Sequence, residues 1–262
     1  MSRHYLKAIA YAGFPILWDY FAWMRKFNKK KDEIPFAYRI NTLKKLLNKL
    51  NRGFDVDIDI KGLENLPKEA SFIVCNHLSA YDPVPLILSL GRPCTFVAKK
   101  ELEKVPFAGK VINGINGLFL DRNDLKQSLR VMMKVEDDLK NKKDKDWIIF
   151  PEGTRNKDHT SNMLNFHHGT FRPAVKAGAP IVPVAMYGTF RVLKKSPKYK
   201  KYPVFIRILK PIYPRDYANM TTEEIALMTR REIQKVVDYE LRELDFKYMK
   251  KIDKKYRFNK TY

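Results

Sequence analysis

His77 and Asp82 lie five positions apart in the run Asn76-His77-Leu78-Ser79-Ala80-Tyr81-Asp82, directly after the apolar stretch Ser71-Phe72-Ile73-Val74-Cys75. A histidine at a strand's end, with a carboxylate shortly after it, can serve as a general base whose ring that carboxylate orients. Pro83 breaks the chain beside Asp82, and the aspartate can also cap the helix that follows; the two roles are compatible. A second constellation, Phe150-Pro151-Glu152-Gly153-Thr154-Arg155, again closes an apolar run. Its glycine lets backbone N–H groups approach an anion, and its arginine can grip a phosphate in bidentate fashion. Such a set could take a proton from a substrate that carries an anionic group.

Two further blocks stand between and beyond these, Gly117-Leu118-Phe119-Leu120-Asp121-Arg122 and Ile181-Val182-Pro183-Val184. In their order, from Asn76 to Val184, the four blocks resemble the glycerolipid acyltransferase family, in which a lysophosphatidate-type acceptor receives an acyl chain from an acyl thioester. The likeness covers the middle of the chain and neither end. It implies His77 as general base, Asp82 as its orienting partner, and direct attack by the acceptor's hydroxyl, so that no serine nucleophile is required. It further implies that Glu152, Gly153, Thr154 and Arg155 bind the acceptor's phosphate. Arg122 is a second phosphate ligand by the same resemblance, with Asp121 as its expected orienting partner. Lys99 and Lys100, just past the run Thr95–Ala98, resemble a family lysine that also meets the phosphate; only one of them can point inward if the strand continues, Lys100 is the one carried forward, and a solvated charge pair is the alternative. The implied reaction is acylation of the sn-2 hydroxyl of lysophosphatidate to phosphatidate, from acyl-CoA or acyl carrier protein. Glycerol-3-phosphate or another lysolipid would ask for the same residues.

Neither a cofactor nor a metal is needed for that reaction. His159, His167 and His168 lack the i, i+4 spacing of a helical metal pair, and the two cysteines, Cys75 and Cys94, form no CxxC motif. Family members commonly carry a lysine just before the glycine of His167-His168-Gly169, so His168 is a departure that would weaken that contact or make it pH-dependent. Cys75 could share the His77 face of an extended chain, which raises a thiol relay as an alternative. A cysteine ending an apolar run is more commonly a small buried residue, and that is the expectation.

To position these residues the chain must supply strands that end where the blocks begin. Phe54, Val56, Ile58 and Ile60 alternate with charged residues, the period of a half-buried strand. Apolar runs at 71–75, 95–98, 118–120, 147–150, 181–186 and 204–209 read as further strands, with helical patterns near 83–90, 125–139 and 171–177. Thr221-Thr222-Glu223-Glu224 caps a long amphipathic helix running to about Lys251. The pattern predicts a layered α/β fold with the blocks gathered along one sheet edge, and the resemblance implies an acyltransferase domain over residues 53–262 with a mixed central sheet flanked by helices.

Residues 1–52 read as an N-terminal helical membrane-anchoring segment. From Tyr5 to Met24 the chain is dense in aromatic and aliphatic side chains, but Lys7, Asp19 and Gly13-Phe14-Pro15 interrupt it, which suits an interfacial or partly inserted helix. The bland alternative is a hydrophobic helix packed on the core. A basic turn follows, and then an amphipathic helix over 38–50 with Ile40, Leu43, Leu46, Leu47 and Leu50 on one face.

The formal charge of +22 calls for an acidic partner. Residues 1–52 hold 12 Lys and Arg against 3 Asp and Glu, residues 190–262 hold 20 against 9, and the block-bearing middle holds 19 against 17. Basicity therefore belongs to the flanks, as expected of a domain held on anionic lipid headgroups at the cytoplasmic face of a membrane. A nucleic-acid-binding protein is the reading from another class. The near-neutral middle and the lack of any recognised binding module argue against a specific nucleic acid partner.

Overall fold

The computed structural model describes residues 21, 26–27, 30, 33–141, 145–160, 162–193 and 201–252. Every apolar run expected to be a strand is one: β1 (Val56–Lys61), β2 (Phe72–Cys75), β3 (Cys94–Lys99), β4 (Leu118–Leu120), β5 (Asp146–Ile149), β6 (Ile181–Tyr187) and β7 (Tyr202–Ile208). They form one sheet in the order β1-β7-β6-β2-β5-β3-β4. From β4 through β3, β5 and β2 to β6 all neighbours are parallel; β7 returns antiparallel to β6, and β1 runs parallel to β7. The sheet is mixed, as the sequence predicts.

Successive side chains on a strand point to opposite faces, so the sheet divides its apolar residues between two cores. On one face Ile73, Cys75, Ile148, Val182 and Val184 meet three helices, α1 (Phe36–Gly53), α2 (Pro83–Ser89) and α3 (Pro106–Gly114). On the other, Phe72, Val74, Trp147, Ile149 and Ala185 meet α4 (Leu125–Lys140), α5 (Arg172–Ala177) and the long C-terminal helix. That helix begins as α7 (Thr222–Val236), after a short α6 (Pro214–Tyr217), widens into one π-turn at Val237–Leu241 and continues as α8 (Arg242–Ile252). Its start is fixed as expected: Thr221 Oγ1 accepts from the Glu224 amide at 3.2 Å, and Glu224 accepts from the Thr221 amide at 2.7 Å.

The amphipathic helix near residues 38–50 is α1, and its apolar face is spent on the sheet: Ile40, Leu43, Leu46 and Leu47 are all buried in the first core. Burial of one such side chain is worth about 1.5–3 kcal/mol. Arg39 adds a buried tie, donating to the Gly114 carbonyl and to Asn116 Oδ1. Helix α3 lies outside the helical patterns of the sequence, and Gly109 and Gly114 lower its intrinsic propensity. Burial of Val111 and Ile112 against the first core offsets that cost. The segment Tyr5–Met24 lies outside the described residues apart from Phe21. Among the described residues no helix is long and apolar enough to cross a membrane.

Candidate active site

Because five neighbouring strands are parallel, their C-terminal ends share one edge, and the residues that follow them meet there. His77 comes just after β2, Lys100 just after β3, Arg122 just after β4 and Glu152 just after β5. Asn76 sews the central pair together: its Nδ2 donates to the Met186 carbonyl at 2.9 Å and its Oδ1 accepts from the Met186 amide at 2.8 Å, both buried.

His77 is held from three sides. Its Nδ1 lies 2.7 Å from Asp82 Oδ2. The same carboxylate oxygen accepts from the backbone amides of Leu78 at 2.7 Å and Ser79 at 2.9 Å. Two obligate donors already mark Oδ2 as an acceptor, so Nδ1 carries the ring proton and Nε2 is the basic nitrogen. Asp82 is fully buried, whereas the His77 side chain is 19% exposed, leaving the ring open on one side only. Phe150 stacks on the imidazole with ring centroids 4.4 Å apart.

The third hold on His77 comes from the second constellation. Glu152 Oε1 accepts from the His77 amide at 2.7 Å, and Oε2 accepts from the Leu164 amide at 3.0 Å. The Asn156 amide donates to the His77 carbonyl at 2.7 Å, which seats Arg155 beside the histidine loop. Burial pushes the Glu152 carboxyl above the ordinary carboxylate range, against the lowering effect of the His77 and Leu164 amides. Glu152 thus binds protein backbone, and its two oxygens clamp the histidine strand to the following loop. Thr154 and Arg155 are exposed.

Gly153 takes a left-handed φ of +69° and is hemmed in on its open side. A Cβ there would come within 2.9 Å of His167 Cδ2 and 3.4 Å of the Arg122 guanidinium carbon. Only glycine suits both the dihedral and the space. The arginine after β4 and an imidazole after the Glu152 loop therefore flank one exposed turn of backbone, an arrangement able to hold an anion.

Lys100 Nζ lies 3.0 Å from Asp121 Oδ2. Asp121 is thus engaged by Lys100 and by the Asn123 amide rather than by Arg122, which corrects the expected pairing. Of the two adjacent histidines, His167 faces Gly153, while His168 is exposed with Nδ1 at 3.4 Å from Thr222 Oγ1. The roles of His167, Phe150 and Asn76 could not be read from spacing, since each depends on which strands are neighbours. The Cys75 thiol is buried, and burial followed by the nearby carboxylates Asp82 and Glu152 pushes it well above its usual range, so it stays protonated. Among the described residues no cluster of three His, Cys, Asp or Glu side chains is arranged to hold a metal ion.

Residues 57–187 match the family described as Acyltransferase. The 1-acyl-sn-glycerol-3-phosphate acyltransferase of Saccharomyces cerevisiae is 34% identical over 198 residues, 73% of this chain and 62% of its own length. The human 1-acyl-sn-glycerol-3-phosphate acyltransferase alpha is 32% identical over 162 residues, 61% of this chain and 56% of its own. The chain thus spans about three fifths of the length of these curated relatives. The crystal structure of the 1-acyl-sn-glycerophosphate (LPA) acyltransferase PlsC from Thermotoga maritima superposes with a TM-score of 0.69 at 28% identity, covering 90% of this chain and 95% of that one.

Proposed function

The chain belongs to the acyltransferase family, and from that premise we propose that it moves a fatty acyl chain from an acyl thioester to the sn-2 hydroxyl of lysophosphatidate, giving phosphatidate. The observation that carries this reading is the join between the two constellations: the base held by Asp82 at 2.7 Å has its own amide held by Glu152, one residue from the Gly153 turn. A hydroxyl and a phosphate of one small acceptor could therefore be met together.

In the proposed mechanism His77 Nε2 removes the proton of the acceptor hydroxyl as that oxygen attacks the thioester carbonyl. Asp82, bound to Nδ1, steadies the imidazolium that forms. Collapse of the tetrahedral intermediate breaks the carbon–sulfur bond, and the departing thiolate takes the proton back from Nε2. The phosphate is received by Arg122, Arg155, Thr154 and the Gly153 backbone. Lys100 would meet the phosphate from the same edge by exchanging its Asp121 partner for it, and Glu152 acts by fixing the loop.

The test is acyl transfer by the detergent-purified protein to lysophosphatidate and, separately, glycerol-3-phosphate, from acyl-CoA and from acyl carrier protein. Turnover of lysophosphatidate supports the reading. Turnover of glycerol-3-phosphate alone would keep the chemistry and change the acceptor, and no turnover on either would remove it. Replacing Arg155 with Ala is expected to lower kcat/KM for the acceptor by about 10–10²-fold, the loss of a charge-assisted phosphate contact worth roughly 1.5–3 kcal/mol. An effect confined to the thioester's KM would take Arg155 out of the phosphate site.

Residues 1–52 are proposed to anchor the enzyme to the cytoplasmic face of an anionic membrane, with 53–262 as the acyltransferase domain. The composition of Tyr5–Met24 supports this, as does the seating of α1 on the first core, which would make α1 a rigid handle for the segment before it. Deleting residues 1–24 is expected to release the protein from vesicles at high salt, where charge contacts are screened. Full retention of the truncated chain would refute the anchor.

A further inference from the structure

Helix α4 has a buried side and an outer side that does not look like an ordinary solvated surface. Val131, Val135 and Leu139 face the second core. On the outer side Leu125, Leu129 and Met133 recur every fourth residue and are 73%, 44% and 60% exposed. Isolated exposed apolar side chains are common, but three stacked at i, i+4 and i+8 make a continuous apolar ridge. One position after each comes a base: Lys126, Arg130 and Lys134. These three are exposed and have no hydrogen-bond or ion-pair partner among the described residues. The acids of this stretch are largely occupied. Asp124 caps the Gln127 amide, Glu136 pairs with Lys140, and Asp138 accepts from Trp147 Nε1, which leaves Asp137 beside the basic line. An apolar ridge with an uncompensated cationic line alongside is the profile of a helix lying at the interface of an anionic bilayer.

Its place in the fold gives this surface a purpose. Ser128 Oγ donates to the Asp121 carbonyl at 2.6 Å, and Gln127 bridges the Asp121 amide and the Phe119 carbonyl. The ridge therefore starts within one turn of Arg122, at the sheet edge that carries the candidate site. Leu102 and Val105, exposed after β3, add apolar surface to that edge.

We propose that the outer face of α4 docks the catalytic domain itself onto an anionic membrane leaflet, bringing the Arg122–Gly153 edge down to headgroup depth. The inference rests on the reading of the acceptor as a membrane lipid, and it names a contact separate from residues 1–52.

The test uses the full chain with Leu129→Cys carrying a polarity-sensitive fluorophore; the native Cys75 and Cys94 are buried and leave position 129 as the labelled site. Vesicles of equal parts phosphatidylcholine and phosphatidylglycerol are expected to shift the emission to the blue and shield the label from an aqueous quencher. Phosphatidylcholine vesicles should do so weakly. Adding Lys126→Gln, Arg130→Gln and Lys134→Gln should raise the vesicle concentration needed at least about 10-fold. A label that stays water-exposed while the protein floats with the vesicles would overturn the proposal. So would a blue shift that needs no vesicles and grows with protein concentration, which would make the ridge a contact between copies of the chain. The fluorophore reports docking whether or not acyl transfer occurs. An inactive protein that still shows the shift would remove the proposed function and keep the surface; an active one without it would remove the surface alone.

Discussion

His77→Ala is expected to lower kcat for acyl transfer by about 10²–10⁴-fold, the usual contribution of a positioned general base, while leaving the fold intact. The ring's contacts are few: Asp82 on one nitrogen and Phe150 on one face. Removing it leaves Asp82 Oδ2 still accepting from the amides of Leu78 and Ser79, so no buried charge is stranded. The His77 amide and carbonyl, which hold Glu152 and Asn156, belong to the backbone and survive the change. The thermal midpoint should therefore move little. The KM for the acceptor should also change little, because proton transfer is felt in the transition state. A variant that turned over at the parent rate would take His77 out of the chemistry; one that lost activity together with its melting transition would show that the residue serves structure.

The sequence made the strands legible because most are short apolar runs closed by turn or helix signals, and β1, at one edge of the sheet, keeps a clear alternation. It made the His77–Asp82 pair legible because both members lie within one local turn. What it did not reveal are contacts set by strand order. The Glu152–His77 bond joins residues 75 positions apart and exists because β2 and β5 are neighbours, a fact carried by the packing of the whole sheet. The pairing of Asp121 with Lys100 instead of Arg122 has the same origin: β3 and β4 are adjacent and parallel, and this brings the lysine at the end of one beside the aspartate at the end of the other. Which of His167 and His168 faces Gly153 is decided only by the left-handed turn there. The leucines of α1 are core, packed against the sheet. Amphipathic periodicity shows that a face will be covered and does not say by what.

Asp82→Asn is expected to separate catalysis from folding at the same site. An asparagine whose carbonyl takes the place of Oδ2 can still accept from the Leu78 and Ser79 amides and from Nδ1–H. Its amide group must then occupy the place of Oδ1, which is buried and has no partner among the described residues. The opposite flip would aim N–H groups at three donors, so the first orientation wins at a cost of about 1–3 kcal/mol for one unsatisfied buried donor. The imidazolium formed during proton transfer loses the charge that steadies it, and kcat should fall on the order of 10³–10⁴-fold, the scale seen when a base loses its orienting carboxylate. Asp82→Ala removes the acceptor altogether and leaves the two buried amides of the His77 loop unpaired. It should lose as much activity and destabilise the protein by several kcal/mol, as two stranded donors imply. Full kcat in the asparagine variant would mean that Asp82 serves only the turn before α2. Loss of kcat with a near-parent melting transition would assign the carboxylate's charge to the reaction and its geometry to the loop.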